Sequence, residues 1–315
     1  MNKIRKEMLS VFAILPSDLN RIIATAPHRY KVFYIPKKRS GELREIAQPA
    51  IEVKALQRWV VGYLGKILPI HECAMAYREG VGIKHNAIRH SGNRFVLKMD
   101  FSNFFPSITY RDMTDHLRKF GGAELSDDDM ADIGRIVLWT PKGERQKRLC
   151  VGAPSSPFIS NTILFDIDTR IYDYCRGLDV AYTRYADDLV FSTNAPDVLR
   201  HVEQYVYKTL EQADYPRISV NREKTVHTSK GKGILVTGVV VTPLGKISLG
   251  RERKRRISSA IHRFTRHMLS PDEVRKLNGL LAFAHDIEPT FIDSMKNKYG
   301  VDVIVRIRNS VHQSD

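Results

Sequence analysis

Hydrophobic and polar positions along the chain follow two periods, and the switches between them mark its elements. Period two appears at Tyr30–Ile35 and again at Leu43–Ile46. Between them lies Pro36-Lys37-Lys38-Arg39-Ser40-Gly41, so the stretch reads as strand, basic turn and returning strand. Arg94–Asp100, Val180–Tyr185 and Leu189–Thr193 are further strands rich in β-branched and aromatic residues, the last two joined by a tight turn. Gly233–Thr242, followed by Pro243-Leu244-Gly245, predicts another hairpin. The helical period of 3.6 governs other stretches. Val53, Leu56, Val60, Leu64 and Ile67 or Leu68 form one apolar stripe that Pro69 should end, a scaffold helix with no assigned chemistry. Ser126 before Asp127-Asp128-Asp129 reads as an N-cap with an acidic first turn rather than a metal site. Ile163–Ile171 suggests a helix, and Val198, Val202, Tyr205, Val206 and Leu210 form one face of another after Pro196. Toward the end, Ile257, Ile261, Phe264 and Met268 mark a stripe, Ser270 and Glu273 a capping box, and Phe291–Tyr299 a third helix stopped by Gly300. Strand, helix, strand pair and helix in the middle predicts a split β-α-β arrangement, followed by a small three-helix unit.

Charge narrows the partners. The 315 residues carry 50 Lys and Arg against 35 Asp and Glu, a net charge of +15 that favours a polyanion. Nucleic acid and an anionic membrane surface both suit it, but no apolar run approaches the ~18 residues of a span. Lys3, Arg5 and Lys6 precede an apolar Met8–Leu15, and Ala24-Thr25-Ala26 resembles a cleavage site. Asp18 and Arg21 interrupt that run, which reads as a surface helix and not a signal peptide. Cys73, Cys150 and Cys175 show no ligand spacing and suggest a reducing, cytoplasmic setting without zinc or disulfides.

Candidate chemistry lies in the acids. Tyr185-Ala186-Asp187-Asp188 sets two carboxylates at a hairpin tip, where such a pair would ordinarily just be solvated. Asp100, however, is delivered to a strand end by Arg94-Phe95-Val96-Leu97-Lys98-Met99. Brought beside the hairpin, it would complete a site of three carboxylates with neither His nor Cys. Hard oxygen ligands of this kind suit Mg²⁺. Two such ions ~3.5–4 Å apart can clamp the attacking and leaving oxygens of a phosphoryl displacement, the chemistry of nucleotidyl transfer.

Asp100 with Phe105 five positions on, then Gly152-Ala153-Pro154-Ser155-Ser156-Pro157, then Tyr185-Ala186-Asp187-Asp188 resembles, in order and spacing, the palm of a reverse transcriptase. Asn86-Ala87-Ile88-Arg89-His90 and Val236-Thr237-Gly238 resemble the two signatures of retron reverse transcriptases. The resemblance spans about Tyr30 to Tyr299 and implies an α/β (α+β) right-hand polymerase. Its parts would be an N-terminal helix and fingers (1–95), a ferredoxin-like palm (96–245, with 110–150 belonging to the fingers) and a helical thumb (246–315). It implies Mg²⁺ held by Asp100, Asp187 and Asp188, with the backbone oxygen of Phe101 as a further ligand. Arg44 and Lys224, the latter in Asn221-Arg222-Glu223-Lys224-Thr225, would meet the nucleotide triphosphate. Lys37 and Lys38 fit either that role or a solvated hairpin tip. Phe105 would screen the sugar of the incoming dNTP, although of Phe104 and Phe105 one ring could be plain core. Asn86, His90, Val236, Thr237 and Gly238 would help hold RNA, His90 being otherwise a satisfied polar side chain at a helix end. Arg251, Arg255 and Arg263 would line a phosphate track on the thumb. One departure is Val151, where the family usually has Gln before the Gly of the second block.

The function implied is RNA-directed DNA synthesis on one cognate structured non-coding RNA. Priming would start from an internal 2′-hydroxyl and give a branched RNA–DNA product, msDNA. That product would act with an effector protein encoded nearby in defence against phage, with no attached nuclease or integrase and no membrane. Two alternatives stand beside it: a group II intron or diversity-generating reverse transcriptase, and a non-catalytic RNA-binding scaffold.

Overall fold

A computed structural model describes residues 1–37, 41–122 and 124–310. Lys38, one of the two turn lysines considered for the triphosphate, lies outside the described residues. The N-terminal third holds helices α1 (Lys3–Val11) and α2 (Pro16–Thr25), the hairpin of β1 (Tyr30–Pro36) and β2 (Leu43–Pro49), and helices α3 (Ile51–Leu64) and α4 (Ile83–Arg89). Next come β3 (Phe95–Asp100), the short α5 (Phe104–Ser107), α6 (Tyr110–Gly121), α7 (Asp127–Val137), α8 (Ser156–Ile163) and α9 (Phe165–Gly177). β4 (Ala181–Tyr185), β5 (Asp188–Thr193), α10 (Val198–Glu211) and β6 (Val226–Ser229) complete the middle. A three-stranded sheet of β7 (Ile234–Val236), β8 (Val239–Val241) and β9 (Ile247–Ser248) leads into α11 (Arg251–Thr265), α12 (Pro271–Ile287), α13 (Pro289–Tyr299) and α14 (Val301–Asn309).

The central sheet has strand order β4-β5-β3-β6 with every neighbouring pair antiparallel, the ferredoxin-like arrangement. Alternation divides its residues between two faces. Leu97, Met99, Leu189, Phe191 and Tyr182 point to one face and join a core built with α1–α3 and α6–α10. Val96 and Val190 point to the other and join a second core with β7–β9 and α11–α14. Asp100 and Asp188, in step with Val96 and Val190, share that second face at the sheet's end. The N-terminal helices sink Ile4, Met8, Leu19 and Ile23 fully into the first core, so the expected surface helix is half interior. α1 and the helical stretch from Pro16 to His28 are together apolar enough for a span but meet at 116°, and no single helix among the described residues is long and apolar enough to cross a membrane.

Three helix boundaries differ from expectation. α3 stops at Leu64, a turn before Pro69, because Gly62 and Gly65 weaken its last turn, although Leu68 is still buried. α11 stops at Thr265, which leaves Met268 outside the stripe and exposed. After Gly300, which does end α13, a fourth helix α14 buries Val303, Ile304 and Ile307. The acidic run at Asp127–Asp129 is a helix start: Ser126 and Asp129 form a reciprocal capping box, and Asp129 also takes the Ile4 amide.

Burial holds two histidines neutral. His116 is enclosed between Phe120 and Tyr215 and pushed down to about 4, first by its burial. An unfolded chain takes up a proton at such an imidazole below about pH 6.5, which the native state refuses down to its own lower value. The stability this refusal supports is therefore lost as pH falls from about 6.5 toward 4. His116→Phe keeps a ring in the aromatic cluster and removes the liability. Thermal melts at pH 7 and pH 5 should show a smaller loss of Tm for the variant than for the wild type; equal losses would dismiss His116 as an acid trigger.

Candidate active site

Antiparallel register brings the acids together. β3 and β5 pair so that Asp100 lies directly opposite Asp188. Opposed positions of this kind hold their Cβ atoms about 4.5–5.5 Å apart. Past the strand end the chain is sutured on both sides: Phe101 N–H donates to the Asp187 carbonyl at 2.9 Å, Asn221 N–H to the Asp100 carbonyl at 2.7 Å, and Ser102 N–H to the Ser219 carbonyl at 2.8 Å. Asp187 itself sits in the two-residue turn between β4 and β5, where Ala186 takes a left-handed φ of 59°.

Electrostatics records the crowding. Asp188 keeps some solvent access, yet the surrounding protein and then the charges of Asp187 and Asp100 push its carboxyl up to about 6. Asp187 is pushed up by burial and by Asp100, while its own backbone N–H, Lys224 and Arg44 pull the other way. Lys224, in a turn of 3₁₀ helix at Arg222–Lys224, donates to Asp100 Oδ1 at 2.8 Å. That ammonium partly neutralises the cluster. Among the described residues no three acidic, histidine or cysteine side chains enclose a common point. Mg²⁺ does not need such a cage, since it uses one or two carboxylates and leaves the rest of its shell to water and phosphate. Three crowded, under-neutralised carboxylates meet that requirement.

A cavity of about 430 Å³ has Phe105, Val151, Gly152, Lys54, Arg58 and Tyr77 in its wall, and Tyr77 is near enough to Asp187 for that charge, after burial, to push its hydroxyl up. The two phenylalanines are placed differently. Phe104 is buried and stacks on Phe101, whereas Phe105 is half-buried and faces the cavity. Gly152 has φ 115°, and a Cβ there would stand 2.8 Å from the Ala47 carbonyl, so only glycine lets β2 press this close. Ala47 N–H in turn donates to the Val151 carbonyl at 2.9 Å, a bond that needs no glutamine side chain. Arg44, on the same strand, is exposed and near enough to Asp187 to lower its proton affinity. Lys54 and Arg58 escaped the sequence reading because α3 looked like scaffold alone. Their i, i+4 spacing off the apolar stripe was the available signal.

The residues expected to hold RNA divide differently. Asn86, His90 and Val236 are buried, and the partners of the first two lie within the protein. His90 bonds to Thr183 Oγ1 and Ser192 Oγ, each at 2.7 Å, and burial pushes its imidazole down to about 3. Asn86 accepts from Thr183 and donates to Thr237 Oγ1 at 3.2 Å. Thr237 and Gly238 form the β7–β8 turn with φ of 44° and 88°, and the Gly238 carbonyl accepts from Arg253. The two signatures thus meet each other inside the protein. On α11, Arg251 and Arg255 are exposed one turn apart, while Arg263 is engaged by Glu273 and the Met268 carbonyl.

Comparison with known proteins gives a consistent result. The profile of a family described as reverse transcriptase (RNA-dependent DNA polymerase) matches residues 35–241. The chain is 41% identical over 294 residues to the retron Ec83 reverse transcriptase of Escherichia coli, covering 92% of this chain and 94% of that one. It is 28% identical over 301 residues to the retron Ec73 reverse transcriptase of Escherichia coli (92% and 93%), and 34% identical over 273 residues to the retron Mx65 reverse transcriptase of Myxococcus xanthus (82% and 62%). Among solved structures it resembles Candida albicans telomerase in complex with a fragment of telomeric RNA, with TM-score 0.51 and 13% identity over 98% of this chain. Apo telomerase from Candida tropicalis gives TM-score 0.51 and 11% identity over 91% of this chain. The chain spans 65% and 63% of those two structures, and the likeness shows the right-hand polymerase fold.

The strained electrostatics generates a prediction. Because the folded carboxyl of Asp188 holds its proton to about pH 6, the native state binds more protons than the unfolded chain between about 4 and 6. Its contribution to stability therefore falls as pH rises through that window. In metal-free buffer Asp188→Asn should melt above the wild type at pH 7.5, by roughly 2 °C per kcal/mol of relieved repulsion. The gap should close at pH 4, and a gap independent of pH would refute the crowding.

Proposed function

The chain belongs to the reverse transcriptase family as a retron-type RNA-directed DNA polymerase, and on that footing we propose that Asp100, Asp187 and Asp188 are its catalytic acids, holding Mg²⁺ together with the Phe101 carbonyl. The single observation that carries this reading is the Asp100–Asp188 register, with Asp187 sutured to Phe101 beside them. When bound, Mg²⁺ supplies the positive charge that binds triphosphate and steadies the displaced oxygens. The protein's own part is alignment and neutralisation. Arg44 comes from the β1–β2 hairpin and Lys224 from the turn at Arg222–Lys224, and both meet a dNTP triphosphate laid over the acids. As the phosphate arrives, Lys224 exchanges its bond to Asp100 for one to phosphate. Phe105, facing the cavity, lies under the sugar and rejects a ribose 2′-hydroxyl by collision.

The β1–β2 hairpin with its neighbouring helices acts as fingers, the ferredoxin-like sheet as palm and α11–α14 as thumb, with the expected boundaries near 95 and 245. The substrate is one structured non-coding RNA, which exposed Arg251 and Arg255 grip through phosphates. Priming from a 2′-hydroxyl within that RNA gives branched msDNA. The product works with an effector protein encoded nearby, in defence against phage. Retron identity of the relatives and the paired signatures support this reading.

Primer extension on poly(rA)·oligo(dT) tests the chemistry. Activity should require Mg²⁺ and fall by at least ~10²-fold in Asp187→Asn while RNA affinity is kept. Undiminished synthesis by that variant would remove the acids from catalysis. Phe105→Ala should incorporate ribonucleotides that the wild type refuses, and unchanged sugar discrimination would take the steric role from this ring.

A further inference from the structure

Arg184 is the largest fully buried side chain among the described residues, on β4 two positions before the Ala186–Asp187 turn. It points to the helix-packed face of β4. Nε and Nη2 donate to the two carboxylate oxygens of Asp168 on α9, at 2.9 and 2.6 Å, and the Tyr182 hydroxyl shares that carboxylate at 2.9 Å. These contacts satisfy the charge. Nη1 is left to bond elsewhere, and it donates to Asn161 Oδ1 on α8 and to the backbone carbonyl of Ala186, each at 3.1 Å. Ala186 is the turn residue with left-handed φ, a conformation that a side-chain-bearing residue keeps only when something holds it. Arg184's own backbone clamps the chain below: its N–H donates to the Cys73 carbonyl and its carbonyl accepts from Met75 N–H, both at 2.8 Å. Asn161 also donates to the Ala76 carbonyl at 2.9 Å, next to Tyr77 in the cavity wall. One guanidinium therefore joins the acidic turn, the helix that follows the Gly152 loop, and the segment that lines the nucleotide cavity.

We propose that Arg184 is a positioning residue for catalysis, whose Nη1 pins the Ala186 carbonyl and thereby fixes Asp187 and Asp188 at the end of the sheet. Fold stability accounts for the pair with Asp168, since a buried charge must be matched. It does not require a bond to the carbonyl of the turn that carries the metal ligands. The inference rests on the proposed role of those aspartates.

Arg184→Lys keeps a cation for Asp168 but lacks the fork that also reaches Ala186. In that variant kcat for dNTP addition should fall ~10–100-fold, with KM for dNTP and primer–template affinity within about threefold. Mn²⁺ binding to the protein alone, read by electron paramagnetic resonance, should weaken ~10-fold. Tyr182→Phe is the matched control: it removes a neighbour of Asp168 but leaves the bond to Ala186, so kcat and Mn²⁺ affinity should hold even where Tm drops. Arg184→Met with Asp168→Leu replaces the pair by apolar groups and should lose kcat and Mn²⁺ affinity in a folded protein. The inference is overturned if either folded Arg184 variant keeps wild-type kcat and Mn²⁺ affinity, if Tyr182→Phe loses them in step with its Tm, or if neither Arg184 variant folds, since the residue then serves stability alone. If Asp187→Asn stays active, the reading of the acids fails instead, and the role of Arg184 fails with it.

Discussion

Three negative charges held at one end of a sheet set the terms for the rest of this protein. Two carboxylates about 5 Å apart at an effective dielectric near 20 repel by roughly 3 kcal/mol. Left in a flexible loop they would separate. Here each is fixed by backbone rather than by its own preference: Asp100 and Asp188 by the β3–β5 ladder, Asp187 by the amide of Phe101. Lys224 and Arg44 offset part of that repulsion, while burial and then the charges of Asp187 and Asp100 still hold the Asp188 carboxyl high. The helices behind the sheet supply the apolar burial that makes the arrangement tolerable overall.

β4, the outer strand of that sheet, is held from both faces by polar contacts. Thr183 meets Asn86 and His90 on the side of the second core, and Arg184 meets Asp168 and Asn161 on the side of the first. Among the described residues its free edge is covered only at Arg184, by the Cys73–Met75 segment. An edge strand with so little ladder would fray without these side chains. The two sequence signatures thus have a physical role inside the molecule, where Asn86 ties the β7–β8 turn to the strand that carries the acidic turn.

Much of this was legible because periodicity and chemistry coincided. Val96, Lys98 and Asp100 alternate with Leu97 and Met99, so the pattern of β3 alone says that the acid shares a face with a lysine and not with Leu97 and Met99 of the first core. The acidic doublet in a tight turn between two apolar strands was equally plain. What escaped notice depended on distant partners. Nothing in Asn86-Ala87-Ile88-Arg89-His90 says that its polar groups close on Thr183 and Thr237, 97 and 151 residues away. Gly300 obscured α14, since a glycine that ends one helix gives no hint that another begins at once. Arg184 did leave a trace: a charged residue at an inward position of an otherwise apolar strand needs a buried counter-charge.

A ladder of backbone hydrogen bonds also makes the acidic cluster a matter of counting. Asp100 and Asp188 face each other because equal numbers of residues run back along β3 and β5 to Phe95 and Thr193. Adding or deleting one residue inside either strand would turn its acid to the opposite side of the sheet. The loops that join the helices between β3 and β4 impose no such condition, for the β3–β5 ladder and not their length sets this register. Changes of length in this lineage should therefore collect in the connections, while the two strands keep their count.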